Sequence, residues 1–304
     1  MLFYGGYYLI RPSRKGMGIM KDLKIKYPTV IAHRGASVLA PESTELAYLL
    51  AKKQGADYLE ADLQRTKDGQ IVIFHDYCLE ALSNVKEVFP DRENYLLENF
   101  TYQELRKVDI GSWFNKKHPQ KAREKFKGLK ILTLEELIDI AEEGDKKTGL
   151  FLEFKHPHLY PGIEKETIEI LGEKGWLNSG IKNDRLIFLS FSIHSLDKVK
   201  KLAADCPRIL LINDNMIGRR SWAKWLELAS KHANGLGPKG FMAWPWHIAA
   251  AHNKGLFVAP YVINQAWQFK ILSHFKADAF ITDNPALILR FLDRLNDFSA
   301  NFQH

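Results

Sequence analysis

The chain predicts an α/β fold, a TIM-type (β/α)8 barrel. Eight short β-rich runs alternate with helical patterns along its 304 residues. Runs such as Ile71-Val72-Ile73-Phe74 and Leu186-Ile187-Phe188-Leu189 are continuously apolar, which suits strands covered on both faces. The helices between them have readable starts. The rival architecture, a doubly wound open sheet, lacks support because no glycine-rich dinucleotide loop is present.

Taken in order, the first strand is Thr29–His33. A helix over Glu42–Gln54 follows, with apolar residues at Leu46, Leu49 and Leu50 and a stop at Gly55. The second strand is Tyr58–Leu63. It turns at Asp68-Gly69 into a return arm, Ile71–His75, through a two-residue hairpin that sets Asp62 opposite His75 and Glu60 on the same face. From Asp76 to Lys130 the rhythm breaks. This stretch reads as an insertion over the barrel mouth, helical around Thr101–Val108, positioned to shape substrate choice. Thr133-x-x-Glu136 is a capping box opening a helix over Leu134–Glu143. The remaining strands are Leu150–Phe154, Leu186–Phe191, Arg208–Ile212, Gly235–Pro238, Phe257–Ile263 and Ala279–Thr282. Asn284-Pro285 pairs a capping side chain with a proline at the first helical position and opens the last helix. The expected organisation is an N-terminal extension over residues 1–24 outside the fold, a barrel over 25–298 with its insertion at about 77–130, and a tail at 299–304.

Hydrophobic residues make up 46% of the chain and charged residues 26%, ordinary for a globular protein. The net charge of +7 suits an anionic substrate or a weak contact with a membrane surface. No block of like charges resembles a nucleic-acid-binding arm, so nucleic acid is not an expected partner. Cys78 and Cys206 form neither a disulfide framework nor a zinc site. They fit a reducing compartment, so a cytoplasmic location is expected, with a secreted or periplasmic one open. Leu2–Ile10 is too short to span a membrane and poorly shaped as a signal peptide, and no later stretch is long enough for a transmembrane segment. Met17 and Met20 are alternative starts. Nothing in the sequence sets an oligomeric state.

The chemistry concentrates at strand ends. Glu60, Asp62 and Glu153 each lie in or at the end of an apolar run, where isolated carboxylates are costly and three together repel. One divalent cation among them makes the arrangement tolerable, and oxygen-only ligands point to Mg2+ or Ca2+. His33 and His75 both end β-rich runs at the rim where barrel enzymes do chemistry, and two imidazoles across a substrate can act as base and acid. The other histidines, among them His118, His156, His158, His194, His232, His247, His252 and His274, lack such company and read as structural or surface residues. Arg34 offers a planar fork for phosphate oxygens, with pairing to Glu42 as its plainer role. Lys155 lies two residues after Glu153 and shares its strand face if the strand runs that far.

The runs His33-Arg34-Gly35-Ala36-Ser37, Pro41-Glu42-Ser43-Thr44, Glu60-x-Asp62, Thr66-Lys67-Asp68-Gly69 and His75-Asp76 resemble the glycerophosphodiester phosphodiesterase family in order and spacing. Asp109-x-Gly111-Ser112-Trp113-Phe114, Leu132-Thr133-Leu134-Glu135-Glu136, Leu152-Glu153-Phe154-Lys155, Ser190-Phe191 and Thr282-Asp283-Asn284-Pro285 fit it too. The resemblance spans roughly residues 29 to 292. It implies a TIM-type barrel, a divalent cation held by Glu60, Asp62 and Glu153, His33 and His75 as the acid/base pair, and Arg34 as a phosphate contact. The implied reaction is hydrolysis of a glycerophosphodiester, a small-molecule substrate, to glycerol 3-phosphate and an alcohol. Two departures bear on headgroup choice. Ser43 stands where the family often has Asn, and Tyr261-Val262-Ile263-Asn264 where it often has Trp-Thr-Val-Asn. Tyr261 still offers a flat face to substrate.

Two other readings have distinct signatures. A phospholipase D acting on lysophospholipids or sphingomyelin would use the run Phe241-Met242-Ala243-Trp244-Pro245-Trp246 against acyl chains or a choline group. Ordinary packing around a helix start is the simpler account of that run. A lapsed barrel kept for binding would have lost a metal acid or a histidine, and all are present.

Overall fold

Strand and helix alternate around a single sheet in the computed structural model, which describes residues 26–144, 148–177 and 185–296. The expected extension over 1–24 and the tail over 299–304 lie outside the described residues. The strands are β1 (Thr29–His33), β2 (Tyr58–Arg65), β3 (Ile71–Ile73), β4 (Leu132–Thr133), β5 (Gly149–Phe154), β6 (Leu186–Ser190), β7 (Arg208–Ile212), β8 (Gly235–Pro238), β9 (Phe257–Val258) and β10 (Ala279–Thr282). Eight of them follow one parallel path, β10-β1-β2-β5-β6-β7-β8-β9. The two ends of that path also meet. Asp278 N–H donates to the Val258 carbonyl at 2.9 Å, Ile281 N–H to Pro260 at 3.1 Å, and Ile263 N–H to Ile281 at 2.9 Å.

The pleat sorts side chains between two cores. Ile31, Tyr58, Phe151, Ile187, Leu189, Ile209, Leu211 and Ile281 pack together inside the barrel. Their neighbours in sequence, such as Leu59, Leu152, Phe188 and Leu210, point outward under the helices. Both faces are therefore buried, which is why the runs carry no polar alternation. The same alternation carries Glu60 and Asp62 inward above Tyr58, and Glu153 inward above Phe151. Register completes the placement: His33 lies beside Glu60, and Asp62 beside Glu153.

The hairpin differs from the expected one. Leu63 pairs with Ile73 and Arg65 with Ile71. Thr66 N–H reaches the Gln70 carbonyl at 3.0 Å, and Gly69 takes a φ of 91°. The loop therefore holds three residues, Lys67 to Gly69, with glycine at the left-handed position, not the two residues of Asp68-Gly69 alone. That shifts the register by one. Asp62 lies opposite Phe74, whose N–H bonds the Asp62 carbonyl at 3.0 Å, and not opposite His75. His75 follows the end of β3 and enters the site from a loop.

Other boundaries moved for local reasons. The first helix is Glu45–Gln54, because Thr44 caps it by accepting the Ala47 N–H and Ser43 sits at a φ of 58°. β9 is only Phe257–Val258, and beyond it Tyr261 keeps an isolated bridge to Lys239, its N–H donating to the Pro238 carbonyl at 3.0 Å. β4 pairs with β3 and was not among the expected strands.

The insertion builds its own core from Val72, Phe74, Leu79, Val85, Leu97, Phe100, Leu105, Val108, Ile110 and Ile131. Its helix is Tyr102–Leu105, opened by a capping box between Thr101 and Glu104. It meets the barrel rim where the Tyr77 ring lies 5.8 Å from His156 and Lys121 donates to the Val38 carbonyl at 2.9 Å.

The loop after β1 sets the Arg34 backbone against the first helix. Arg34 has a φ of 54° and Gly35 a φ of 87°. A Cβ on Gly35 would stand 2.6 Å from the Ala47 carbonyl carbon and 2.7 Å from its Cβ. Gly35→Ala should therefore destabilise the fold by about 2–4 kcal/mol, through a backbone clash and an unfavourable φ together. Urea denaturation checks this, and a midpoint equal to that of the parent chain would contradict it.

Candidate active site

The C-terminal rim of the barrel opens into a cavity of about 660 Å³. Strand ends β1, β5 and β6 line it with His33, Glu153 and Ser190, and the loops beyond add Arg34, His75, Lys155, His156, His158, Phe191, Asp214, Lys239 and Tyr261. His156 and His158, read as structural or surface residues, border this cavity, and His158 is exposed as that reading expects. The insertion, expected over the mouth, packs around its own core and places Phe114 and Phe126 in the barrel's outer core, and it reaches the cavity wall through the Tyr77 ring against His156.

Glu60, Asp62 and Glu153 converge at the base of the rim. One oxygen from each lies within 4.8 Å of the others, and all three residues are buried. Cations answer part of that charge. Arg34 Nε lies 3.1 Å from Asp62 Oδ2, and Lys155 Nζ lies 3.2 Å from Asp62 Oδ1 and 3.0 Å from Glu153 Oε1. Yet neither Asp62 oxygen accepts a hydrogen bond, although both are fully buried. Buried carboxylate oxygens without hydrogen bonds, in an all-oxygen cluster of this span, fit a divalent cation.

Electrostatics divides the three acids. Burial, and then the Asp62 charge, pushes Glu60 well above the usual carboxylate range. Glu153 also rises, from burial, though Lys155 opposes it. Burial works on Asp62 as well, but Lys155 and Arg34 outweigh it and hold Asp62 well below that range. Asp62 is thus the fixed anion of the cluster, and the Glu60 backbone neighbour helps keep the geometry: Arg34 N–H donates to Glu60 Oε2 at 2.9 Å. Glu42 takes the outer edge of Arg34, with its Oε1 2.8 Å from Nη1.

Each histidine is held from behind by an aspartate. His33 Nδ1 lies 2.6 Å from Asp283 Oδ1, and His75 Nδ1 lies 2.5 Å from Asp76 Oδ1. A carboxylate at Nδ1 calls for the proton there, which leaves Nε2 free to take or give a proton on the cavity side. His33 Nε2 lies 4.0 Å from Glu60 Oε2. Burial, then Arg34, lowers the His33 pKa, while Asp283 opposes them. Asp283 is itself fixed by Asn264, whose Nδ2 donates to Oδ2 at 2.5 Å and whose Oδ1 accepts the Asp283 N–H at 2.9 Å.

Asp283, Asp76 and Asn264 were not among the candidate residues. All three stand in runs that carry the family resemblance, His75-Asp76, Tyr261-Val262-Ile263-Asn264 and Thr282-Asp283-Asn284-Pro285, and that was the available signal. Tyr261 stands on the far wall. Its hydroxyl donates to the Ile212 carbonyl at 3.2 Å and its ring meets Phe191 at 6.2 Å, edge to face.

Comparison with known proteins follows the same residues. The model of the glycerophosphoryl diester phosphodiesterase family matches residues 33–287. Over 257 residues the chain is 34% identical to the glycerophosphodiester phosphodiesterase of Bacillus subtilis (strain 168), covering 84% of each protein. It is 31% identical over 261 residues to that of Caldanaerobacter subterraneus subsp. tengcongensis, covering 86% of this chain and 96% of the relative. Among solved structures, an Oleispira antarctica phosphodiesterase in complex with its product sn-glycerol-3-phosphate superposes with a TM-score of 0.70 at 28% identity, over 88% of this chain and 97% of that one. A Silicibacter pomeroyi structure at 23% identity shares the barrel, with a TM-score of 0.75 over 90% of this chain and 96% of that one. The chain is an enzyme of the glycerophosphoryl diester phosphodiesterase family, whose members are phosphoric diester hydrolases.

Proposed function

We propose that the chain hydrolyses a glycerophosphodiester to glycerol 3-phosphate and an alcohol, with one divalent cation and the pair His33 and His75. The observation that carries this reading is a cluster of three buried carboxylates, of which Glu153 lines the cavity, beside two aspartate-backed imidazoles that line it too. Glu60, Asp62 and Glu153 would hold the cation, and their oxygen-only set selects Mg2+ or Ca2+. Bound there, the cation supplies positive charge for the phosphate oxygens.

The remaining chemistry belongs to the side chains. Arg34 and Lys155 stay charged, and they offer a phosphate the compensation they now give Asp62. One imidazole takes the proton of the glycerol 2-hydroxyl as that oxygen attacks phosphorus. The other gives a proton to the departing alkoxide, so the alcohol leaves neutral. With roles reversed, the pair then adds water across the cyclic phosphate to yield glycerol 3-phosphate. Tyr261 and Phe191 form an aromatic wall beside the space left for the alcohol.

His33→Ala and His75→Ala should each lower turnover of glycerophosphocholine by about 10²–10⁴-fold with circular dichroism unchanged. Near-parent turnover in either variant would remove the two-histidine scheme. Releasing more choline from lysophosphatidylcholine than from glycerophosphocholine would move the assignment to a phospholipase D. Asp283→Asn should cost about tenfold or more in kcat while leaving cation affinity unchanged, because it disturbs the His33 ring and no ligand oxygen. Loss of Mn2+ affinity in that variant would show that Asp283 acts on the metal site. Asp62→Asn should weaken Mn2+ binding, read by calorimetry, by about a hundredfold or more, and a chelator should abolish turnover of glycerophosphocholine. Chelator-resistant turnover would exclude cation dependence.

A further inference from the structure

The loops after β7 and β8 carry an aromatic and basic face beside the barrel mouth. Phe241, Trp244 and Trp246 are 58%, 53% and 59% exposed. The two indoles stack at 5.2 Å and nearly parallel, Trp246 meets the His247 ring at 5.9 Å, and His247 stacks on Trp222 at 4.1 Å. The rings thus run continuously across the first turns of two helices, Trp222–His232 and Pro245–Asn253. Their base is fixed: Met242 and Ala243 are buried beneath them, and His247 Nδ1 donates to the Met242 carbonyl at 2.8 Å.

Positive charge borders the rings. Arg219 and Arg220 are exposed, and among the described residues neither pairs with a carboxylate; Arg220 lies over the Trp225 ring at 5.0 Å. Lys239 sits 5.3 Å over the Phe241 ring and pairs with Asp214 at 3.0 Å, and both of these charged residues line the active-site cavity. The face and the cavity are therefore contiguous.

We propose that this face docks the enzyme on an anionic phospholipid bilayer, with the barrel mouth turned toward the lipid. Large exposed rings in one patch mark an interaction surface. Indole rings favour the headgroup level, where an apolar body and a polar N–H are both accommodated. Unpaired arginines beside them complement phosphate and anionic headgroups. A second copy fits worse, because a self-paired face would bring the arginines of both copies together. The net charge of +7 adds attraction to the same surface. Docking stands apart from the diester reading, since it is measured as partition and not as turnover.

The test is flotation of the full chain with vesicles of phosphatidylcholine alone and of phosphatidylcholine with phosphatidylglycerol. The chain should float with the anionic vesicles, less so at high salt. Combining Arg219→Glu with Arg220→Glu should weaken partition by about fivefold per arginine. Combining Phe241→Ala, Trp244→Ala and Trp246→Ala should weaken it by about tenfold or more. Both variants should turn over soluble glycerophosphocholine at the parent rate. A parent chain left in the aqueous fraction, or variants that float as well as the parent, would overturn the proposal. So would a parent dimer in light scattering that the triple variant loses without any change in flotation.

Discussion

The constraint on which this structure depends is the repulsion among three carboxylates in one dry space. Glu60, Asp62 and Glu153 bring an oxygen each within 4.8 Å of the others at the top of the barrel interior. Nothing apolar can offset that cost. Arg34 and Lys155 meet it in part, and both reach the same residue, Asp62. The chain after β1 turns with a positive φ at Arg34, and the guanidinium there meets Asp62 of β2. The backbone there holds an unfavourable conformation beside the charge cluster.

The rest of the barrel serves to hold that cluster in register. Ile31, Tyr58 and Phe151 fill the interior one layer below it, an apolar floor under the acids. Parallel pairing then fixes His33 beside Glu60 and Asp62 beside Glu153. The histidines need more than a strand end. Asp283 grips one ring and Asp76 the other, each at Nδ1, which presents the opposite nitrogen to the cavity. Asn264 links the loop after β9 to Asp283, so a single hydrogen-bonded chain joins the two strands that close the barrel to the ring that borders the carboxylate cluster.

The rim is asymmetric. On the β3 side, the insertion forms its own apolar core and reaches the cavity wall through the Tyr77 ring against His156. On the β7 and β8 side, the loops are open and carry Phe241, Trp244 and Trp246 outward. Docking on that side, as proposed, would set the cavity against a lipid surface. Among the described residues no helix is long and apolar enough to cross a membrane.

The barrel was legible because period and order survive in one dimension. Continuous apolar runs, a capping box at Thr133 and the Asn284-Pro285 start all report local physics, and they marked β1, β7, β8 and β10 to the residue. Glu60 and Asp62 were legible for the same reason, since acids inside an apolar run need an explanation wherever the run goes. The hairpin register was not. Whether Asp68-Gly69 closes a two-residue or a three-residue loop depends on which pairing buries Ile71 and Ile73 on the barrel side and Val72 under the insertion. The aspartates behind the histidines, the place of His156 and His158 in the cavity, and the outward turn of the tryptophans were likewise decided by tertiary structure. His33 and Asp283 meet across 250 positions of chain, whereas Asp76 is the sequence neighbour of His75 and only the fold of their loop brings its carboxylate to the ring. Sequence determined which chemical groups the strand ends would carry; only folding decided which of them would meet.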